Sequence, residues 1–150
     1  MLKGNLIMIT AKWVMGDSDM QDARKIRTKV FIEEQGFSAQ REFDDIDSIA
    51  LHVIIYKGPE ACATGRLYYR QGYRIGRIAV LKEERGTGLG DLTVRMLLFK
   101  AFEQEAEEVT VLAQLQAQGF YEKFGFISTG EQEEDEGVPH IICLLYTSDA

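Results

Sequence analysis

The stretch "AVLKEERGTGLGDL", residues 79–92, constrains the fold more than any other part of the chain. A hydrophobic run precedes it, the helical pattern "LTVRMLLFKAF" follows it, and Gly86, Gly88 and Gly90 occupy alternate positions. Glycine tolerates positive φ and lets another molecule approach the main chain. The first amides of a helix lack internal partners, and the helix dipole favours negative charge there. The pattern therefore predicts a strand, an anion-binding loop and a helix, with Arg85 adding positive charge.

The spacing of the glycines separates this loop from two common phosphate-binding motifs. A P-loop ends in Gly-Lys-Ser/Thr, which "GLGDL" lacks. A dinucleotide-binding fingerprint has the spacing G-x-G-x-x-G within a parallel sheet. Here the spacing is G-x-G-x-G, and the preceding strands are expected to be antiparallel. Two interpretations remain: a helix N-terminus that holds a phosphate of another cofactor, and a tight connection that binds no ligand.

Patterns along the rest of the chain predict one α/β domain without internal repeats or linkers. A helix is expected after the first strand, with Ser18 and Gln21 as a capping box at its start. "KGPE" and "RQGY" are turn sequences and predict an antiparallel meander of three strands. The expected elements are a strand from Leu6 to Val14, the first helix, a polar loop over 35–48 with at most a helical turn, strands over 49–56, 61–69 and 74–81, a helix to Glu105, a strand "EVTVLAQ", a short helix "LQAQGFYEKF" ended by Gly125, a strand "GFISTG", an acidic loop "EQEEDEG" and a strand "VPHIIC".

Length and composition limit the classes of protein to which this chain can belong. Its 150 residues suffice for one core, and no apolar run reaches the roughly 20 residues that a membrane helix needs. The net charge of −7 argues against a nucleic-acid partner, which requires a basic face. The N-terminus lacks a signal-peptide cleavage pattern. Cys62 and Cys143 make neither a disulfide framework nor a metal site, so we expect a cytoplasmic protein without a bound metal or a membrane partner.

The last eight residues, "CLLYTSDA" from 143 to 150, resemble the in-frame translation of a transposon adapter used in DNA sequencing. We therefore expect a single domain over residues 1–142, followed by a non-native read-through tail over 143–150. Such a tail is set aside when the fold is predicted. "CLLY" nevertheless suits a β-strand and would complete a final strand that begins at Val138.

Two motifs in the expected order resemble those of the GNAT superfamily of N-acetyltransferases. "RIAVLKEERGTGLG" is similar to its central strand, Arg/Gln-x-x-Gly-x-Gly/Ala motif and helix, with Arg85, Gly88 and Gly90 at the motif positions. "AQLQAQGFYEKFGF" resembles the strand and helix that carry the tyrosine of these enzymes. "VFIEEQGF", "ACATGRL", "GRIAV" and "GVPHII" resemble the small bacterial ElaA-like branch. The resemblance implies a GNAT fold, an α/β fold with a mixed sheet of about seven strands, splayed middle strands and about four flanking helices.

The resemblance also implies an N-acetyltransferase that moves an acetyl group from acetyl-CoA, as co-substrate, directly to an amine. Tyr121 stands at the position of the general acid, and Gln114 stands where the superfamily usually has asparagine. The strand ending at Ala113 is expected to splay from the strand ending at Val80 and to leave a slot for the pantetheine arm. The implied cofactor-binding residues are Ile78, Ala79 and Val80 for the pantetheine, Arg85, Gly86, Thr87, Gly88, Leu89, Gly90 and Asp91 for the pyrophosphate, and Gln114 for the pantetheine.

The sequence leaves the amine side of the reaction open. A general base must take a proton from the amine, and Glu33 and Glu34 at the end of the first helix are the leading candidates. His52 and His140 titrate in a suitable range but are more often structural residues in strands. Clusters of acidic residues indicate either a cationic substrate or a solvated loop; they are Glu42, Asp44, Asp45, Asp47 and the run over 131–136.

Two readings without catalysis also fit a glycine-rich loop. One is a GNAT-fold protein that binds acyl-CoA as a sensor, and the other is a partner-binding domain in which the loop is only a turn. For the enzyme we expect a small-molecule or peptide amine as substrate and a monomer or homodimer. Release of the CoA thiol with a panel of amines separates the enzyme from the sensor.

Overall fold

The computed structural model describes residues 7–146, which form a mixed seven-stranded sheet with helices on both faces. Leu6, where the first strand is predicted to begin, and residues 147–150 lie outside the described residues. In chain order the strands are β1 (Ile9–Met15), β2 (Leu51–Lys57), β3 (Glu60–Tyr69), β4 (Tyr73–Val80), β5 (Glu108–Gln114), β6 (Ile127–Asp135) and β7 (Val138–Tyr146). Across the sheet their order is β1-β2-β3-β4-β5-β7-β6.

Neighbouring strands from β1 to β4 are all antiparallel, which confirms the predicted meander. The turn between β2 and β3 contains Gly58 at φ +59°, and the turn between β3 and β4 contains Gly72 at φ +120°. L-residues with a Cβ rarely adopt these values, so the glycines allow both turns to close tightly.

Four helices flank the sheet: α1 (Gln21–Arg27), α2 (Ala39–Glu42), α3 (Leu89–Glu103) and α4 (Gln118–Glu122). A π-helix over Thr28–Glu34 continues α1, and a 3-10 helix over Asp45–Ile49 follows α2. The predicted apolar face of the first helix is confirmed, since its members are buried against the sheet: Met20, Ala23, Ile26, Val30 and Phe31.

The predicted capping box of Ser18 and Gln21 is wrong. Met20 precedes α1, and the carboxylate of Asp19 accepts a hydrogen bond of 3.0 Å from the amide of Gln21. An aspartate is as effective as a serine in satisfying a free amide at a helix start. Here Asp19 lies one residue closer to the helix than Ser18 and takes that role.

The β6–β7 hairpin differs from the predicted strand, acidic loop and strand. β6 runs without a break from Ile127 to Asp135, so "EQEEDE" belongs mostly to a strand, and only Glu136 and Gly137 form the turn. β6 is an edge strand that is exposed along most of its length. An edge strand needs no buried face, so its acidic side chains stay in solvent and also discourage pairing with other chains.

β7 extends to Tyr146 and pairs with β5 along the whole length of β5, from Glu108↔Tyr146 to Gln114↔His140. "CLLY" therefore completes the final strand, as its strand propensity predicts, and Cys143 is fully buried. Whether residues 143–150 are native stays a prediction of the sequence alone.

The two middle strands of the sheet separate, as expected. β4 and β5 are parallel and pair only over Tyr73–Ile75 and Val109–Val111. α3 packs on the neighbouring strands, where a Cβ built on Gly65 would lie 2.8 Å from side-chain atoms of both Ile78 and Leu97. Gly65 therefore lets α3 lie close against the sheet at the level where β4 and β5 separate.

Candidate active site

A cavity of about 260 Å³ fills the gap between β4 and β5. Gly76, Arg77 and Ile78 form one wall of this slot, and Leu112 and Gln114 form the opposite wall. β4 and β5 stop pairing with each other after Ile75 and Val111. Within residues 7–146, the edges that these strands turn towards the slot therefore have no strand partner beyond that point. A ligand with amide groups can form hydrogen bonds with such an edge as another strand would.

A β-bulge in β4 produces the separation of the two strands. Arg66 pairs with Gly76 and Thr64 pairs with Ala79, so two residues of β4 stand opposite the single residue Gly65 of β3. One of the two, Arg77, has φ +51°, in the left-handed region that a residue with a long side chain rarely occupies. A bulge bends its strand and increases the twist, which turns the end of β4 away from β5.

The glycine loop has the conformation that its sequence predicts. Gly86 and Gly88 have φ +79° and +89°, and Gly88 immediately precedes the first residue of α3. Among residues 7–146, no hydrogen bond uses the amides from Gly86 to Asp91. These amides border a groove of about 450 Å³, which is lined also by Val80 and Phe120. A row of free amides at the start of a helix is suited to bind a phosphate.

Arg85 borders the same groove, but other groups of the protein already bind its guanidinium. Its Nη1 and Nη2 donate to the two carboxylate oxygens of Glu34 at 2.6 and 2.7 Å. Its Nε and Nη2 also donate to the carbonyl of Val80 at 3.0 and 2.9 Å. The guanidinium thus links the end of β4 to the end of the first helix, and its charge is offset by Glu34 before any ligand binds.

The main chain of β4 alternates between β3 and the slot. The amide of Leu81 donates to the carbonyl of Cys62, so these two residues form a hydrogen-bonded pair. In an antiparallel ladder such pairs alternate with pairs that exchange no hydrogen bonds, and the next pair, Val80 and Ala63, is of that second kind. The amide of Val80 therefore points away from β3, while the main-chain groups of Ala79 face β3. Of the predicted pantetheine-binding residues, Val80 lines the groove, and Ile78 lines both the slot and the groove.

Tyr121 lies where the slot meets the glycine-loop groove and contributes to the walls of both. Its ring packs edge-on against Phe120 and Phe126, with centroids 5.1 and 5.9 Å apart, and the residue is buried. Within residues 7–146 its hydroxyl makes no hydrogen bond, which leaves it available to a ligand. Burial, with a smaller effect from Cys143, raises the pKa of Tyr121 above its ordinary value, so the phenol stays protonated at neutral pH.

Gln114 lies at the end of β5 with both groups of its side-chain amide in use. Its Nε2 donates to Oε1 of Gln35 at 2.9 Å, and its Oε1 accepts from Nε2 of Gln116 at 2.6 Å. The NH2 group keeps a second hydrogen and the oxygen a second lone pair, so a pantetheine arm can bind Gln114 beside these contacts.

The acidic residues over 42–47 are not a solvated loop, and the prediction that they form a cation-attracting surface is wrong for most of them. Glu42 and Asp47 are buried and accept hydrogen bonds from Arg27, which is itself only 1% exposed. Asp44 accepts hydrogen bonds from Arg66 and Arg77. Burying charged groups is costly unless they are paired. The arginines of α1, β3 and β4 therefore neutralise this cluster and hold it inside the protein.

Neither leading candidate for the general base is placed for this role. The carboxylate of Glu34 is bound by Arg85, whose hydrogen bonds lower the pKa of Glu34 below its ordinary value. Glu33 is exposed and borders neither the slot nor the groove. Sequence alone did not place the two residues relative to Arg85 and the slot.

The two histidines are both buried in strands. His52 lies 3.1 Å from the carbonyl oxygen of Asp47, away from the slot, and burial lowers its pKa. His140 borders the slot, and its Nδ1 lies 3.0 Å from the carbonyl oxygen of Val138. The expectation that His52 is structural agrees with its position.

Glu136 is a residue of the site that the sequence named only as the last member of the acidic run over 131–136. It occupies the β6–β7 turn, lines the slot, and exposes only 5% of its side chain. A second signal in the sequence is the dipeptide Glu136-Gly137 between two strands, where a tight hairpin favours asparagine or aspartate before the glycine. Within the described residues, no group of histidines, cysteines and carboxylates is arranged to hold a metal ion. None of the helices within residues 7–146 is long and apolar enough to cross a bilayer.

Comparison with known proteins identifies the family. The model of the acetyltransferase (GNAT) domain family matches residues 17–142. The uncharacterized N-acetyltransferase YjcF of Bacillus subtilis (strain 168) is 33% identical over 127 residues, which cover 83% of this chain and 91% of that protein. The crystal structure of Escherichia coli ElaA has a TM-score of 0.80 and 26% identity, and the match covers 92% of this chain and 99% of ElaA.

A further structure shares the fold at lower identity. The acyl-CoA N-acyltransferase from Pseudomonas aeruginosa has a TM-score of 0.79 at 23% identity, covering 92% of this chain and 99% of that one. The family match covers most of the chain, including the splayed strands, the glycine loop and the tyrosine between them. The chain belongs to the GNAT acetyltransferase family.

Proposed function

We propose that this acetyltransferase moves the acetyl group of acetyl-CoA directly to the amine of a small molecule or peptide in the cytoplasm. Acetyl-CoA is the acetyl donor of the GNAT family, and the chain is an enzyme of that family. The observation that supports the proposal most is the junction at Tyr121, where a groove lined by free amides meets a slot lined by charged side chains. A donor and an acceptor that enter from these two sides would meet beside the phenol.

The groove fits the donor. The amides from Gly86 to Asp91, including those of Thr87, Leu89 and Gly90, would bind the pyrophosphate. Arg85 would bind it as well, by exchanging or sharing its contact with Glu34. Ile78, Ala79 and Val80 would border the pantetheine arm, with the amide of Val80 as a donor and Gln114 as a partner on the opposite strand. Gly90 would keep the groove narrow but open, since a Cβ there would lie 3.6 Å from the ring of Phe120.

Two protein groups would assist the transfer itself. The amide of Val80 points away from β3 beside the groove and would donate to the thioester oxygen as negative charge develops on it. Tyr121 would give its phenolic proton to the sulfur of the departing CoA. The raised pKa of Tyr121 keeps this proton in place at neutral pH, but it makes the phenol a weaker acid than an exposed tyrosine. The transfer therefore depends on close contact with a thiolate in a dry site.

Binding and turnover test the proposal separately. Saturation with CoA at about 100 times its Kd should stabilise the fold by roughly 2.7 kcal/mol, which a thermal-shift titration measures. Release of the CoA thiol and the mass of the acetylated product, followed over a panel of primary amines, measure turnover. If the protein binds CoA but acetylates none of the amines, it is a sensor. If CoA causes no thermal shift, the groove does not bind the donor and the proposal is wrong.

A further inference from the structure

Glu136 adopts an unfavourable backbone conformation in the β6–β7 hairpin. Asp135 pairs with Val138, so Glu136 and Gly137 are the two turn residues, and their φ values are +54° and +82°. Such turns favour asparagine, aspartate or glycine at the first position, because other side chains resist positive φ. Although the turn is at the surface, the Glu136 side chain is directed inward, where only 5% of it is exposed and it borders the slot.

The carboxyl of Glu136 meets a second buried carboxyl, that of Glu42. Each of these residues has a buried Oε1 without a hydrogen-bond donor among the described residues. One proton shared between the two carboxyls satisfies both atoms, whereas two carboxylates would repel each other. Burial, followed by the hydrogen bond to Glu42, raises the pKa of Glu136 to about 8.

Charged groups of several elements surround this pair. Arg77 of β4 lies 3.6 Å from Oε2 of Glu136 and 3.5 Å from Oε2 of Glu42, but it also binds Asp135 and Asp44. The guanidinium of Arg41 in α2 lies against Gly137, and His140 of β7 and Arg66 of β3 border the same slot. Arg77 is thus shared among four carboxyl groups, and it does not neutralise Glu136 by itself.

We propose that Glu136 is the general base that takes a proton from the acceptor amine, and that Glu42 is the positioning residue that holds it. The assignment rests on the proposed function, because it places the amine in the slot between β4 and β5. Glu136 lines the slot on the acceptor side, and Tyr121 lines it where it meets the donor groove. Glu136 is therefore placed to act on the attacking amine, and Tyr121 is placed to act on the departing sulfur.

The protons and bonds balance in this scheme. The ammonium form of the substrate gives one proton to the Glu136 carboxylate, directly or through a water molecule, and becomes a neutral amine. Its nitrogen forms a bond to the acetyl carbon as the carbon–sulfur bond breaks. The sulfur takes the phenolic proton of Tyr121, and the second proton lost by the nitrogen returns to Tyr121 through solvent. Glu136 then releases its proton to solvent.

The pH dependence of this step has a definite sign. A base works only when it has lost its proton, so kcat/KM should rise with pH as Glu136 loses its proton, with an apparent pKa near 8. Glu42→Gln removes the partner carboxylate that favours the protonated form of Glu136. The apparent pKa in the profile of this variant should therefore be lower than in the unmodified protein.

The experiment compares Glu136→Gln with Glu134→Gln, which changes an exposed carboxylate in the adjoining strand β6. Thermal melts and CoA titration of both variants report folding and donor binding, and thiol release with a panel of primary amines reports turnover. We expect kcat/KM to fall about 10²- to 10⁴-fold in Glu136→Gln, with CoA affinity and melting temperature close to those of Glu134→Gln. In Glu136→Gln the rise of kcat/KM near pH 8 should disappear, and only the pH dependence due to the amine itself should remain.

An infrared titration tests the shared proton without any substrate. The unmodified protein should show a protonated-carboxyl band at pH 7 that disappears through about pH 8 and is absent in Glu136→Gln. Absence of this band from the unmodified protein would overturn the assignment. A folded Glu136→Gln variant that binds CoA and turns over within a few-fold of the unmodified protein would also overturn it. An unmodified protein that binds CoA but acetylates no amine would instead contradict the proposed function, and the base assignment with it.

Discussion

Arg85 holds both carboxylate oxygens of Glu34, at 2.6 and 2.7 Å, and binds the carbonyl of Val80 with the same guanidinium. The loop that is suited to bind a phosphate therefore contains a cation that is already paired. The pair is partly exposed, so solvent weakens it, and a phosphate with two charges can compete for the guanidinium. The affinity for CoA thus depends on Glu34 as well as on the groups that contact the cofactor.

Two substitutions in this pair should change CoA affinity in opposite directions. Arg85→Ala removes a charge-assisted contact, so the Kd for CoA should rise about 10- to 100-fold at low salt. Glu34→Gln leaves the charge of Arg85 unopposed, so the Kd should fall. Calorimetric titrations at low and high salt measure both effects, and salt should reduce each of them. Equal affinities for the two variants would show that Arg85 does not contact the phosphates.

Gly88→Val should weaken CoA binding much more than it weakens the fold. The φ of +89° strains any residue with a Cβ, at a cost of order 1–3 kcal/mol. No atom lies within 4 Å of a Cβ built there, so the side chain would enter the groove itself. Gly58→Val is the matched control, since Gly58 has φ +59°, open space around it and a place in a distant turn.

We expect both glycine variants to lose similar free energies of unfolding. Only Gly88→Val should raise the Kd for CoA, by about 10- to 100-fold if two amide contacts are lost. Denaturant unfolding and CoA titration of the two proteins make the comparison. Equal CoA affinities in the two variants would contradict the assignment of the phosphate site to this loop.

Tyr121→Phe should separate catalysis from binding. The change removes one oxygen and keeps the ring between Phe120 and Phe126, so folding and CoA affinity should hold. If the phenol protonates the departing thiolate, kcat should fall by about 10²- to 10⁴-fold. Thioester analogues whose thiolate leaves more easily should recover part of this loss. A kcat within a few-fold of the original, with chemistry limiting the rate, would assign Tyr121 to the core alone.

Arg27→Met should destabilise the fold strongly. Arg27 is 1% exposed and holds the carboxylates of Glu42 and Asp47 at 2.7 and 2.8 Å. Removing one partner of a buried ion pair leaves the other charge unpaired, which costs about 3–5 kcal/mol. Lys25→Met is the control, because Lys25 is an exposed cation in the same helix. Urea unfolding should show a large loss of stability for the first variant and a small one for the second.

The sequence predicted those parts of the fold in which a local pattern carries the information. The turn sequences "KGPE" and "RQGY" predicted the meander of β2, β3 and β4, and the helical spacing of apolar residues predicted the buried face of α1. The glycine loop was predictable because only positive φ and free amides explain such spacing. In each case the property that determines the structure belongs to residues close together in the chain.

The errors concern features that depend on contacts between distant segments. The second half of β6, "EQEED", is predicted as a loop because an edge strand exposed along its length shows no alternation of polar and apolar residues. Neither alternative for the acidic residues over 42–47, a cation-binding surface or a solvated loop, describes most of them, because the arginines that neutralise them come from α1, β3 and β4. Glu34 was a reasonable base until the fold placed Arg85, 51 residues away in the chain, against it.

The two halves of the site differ in how they withstand genetic change. The groove beside α3 binds through peptide amides, and a peptide amide survives nearly every replacement of the side chain attached to it. The slot beyond Tyr121 depends on the identities of side chains such as Arg66, Arg77 and Glu136, which come from two strands and a turn. A descendant of this protein can therefore acquire a new acceptor by a few substitutions and keep its donor throughout.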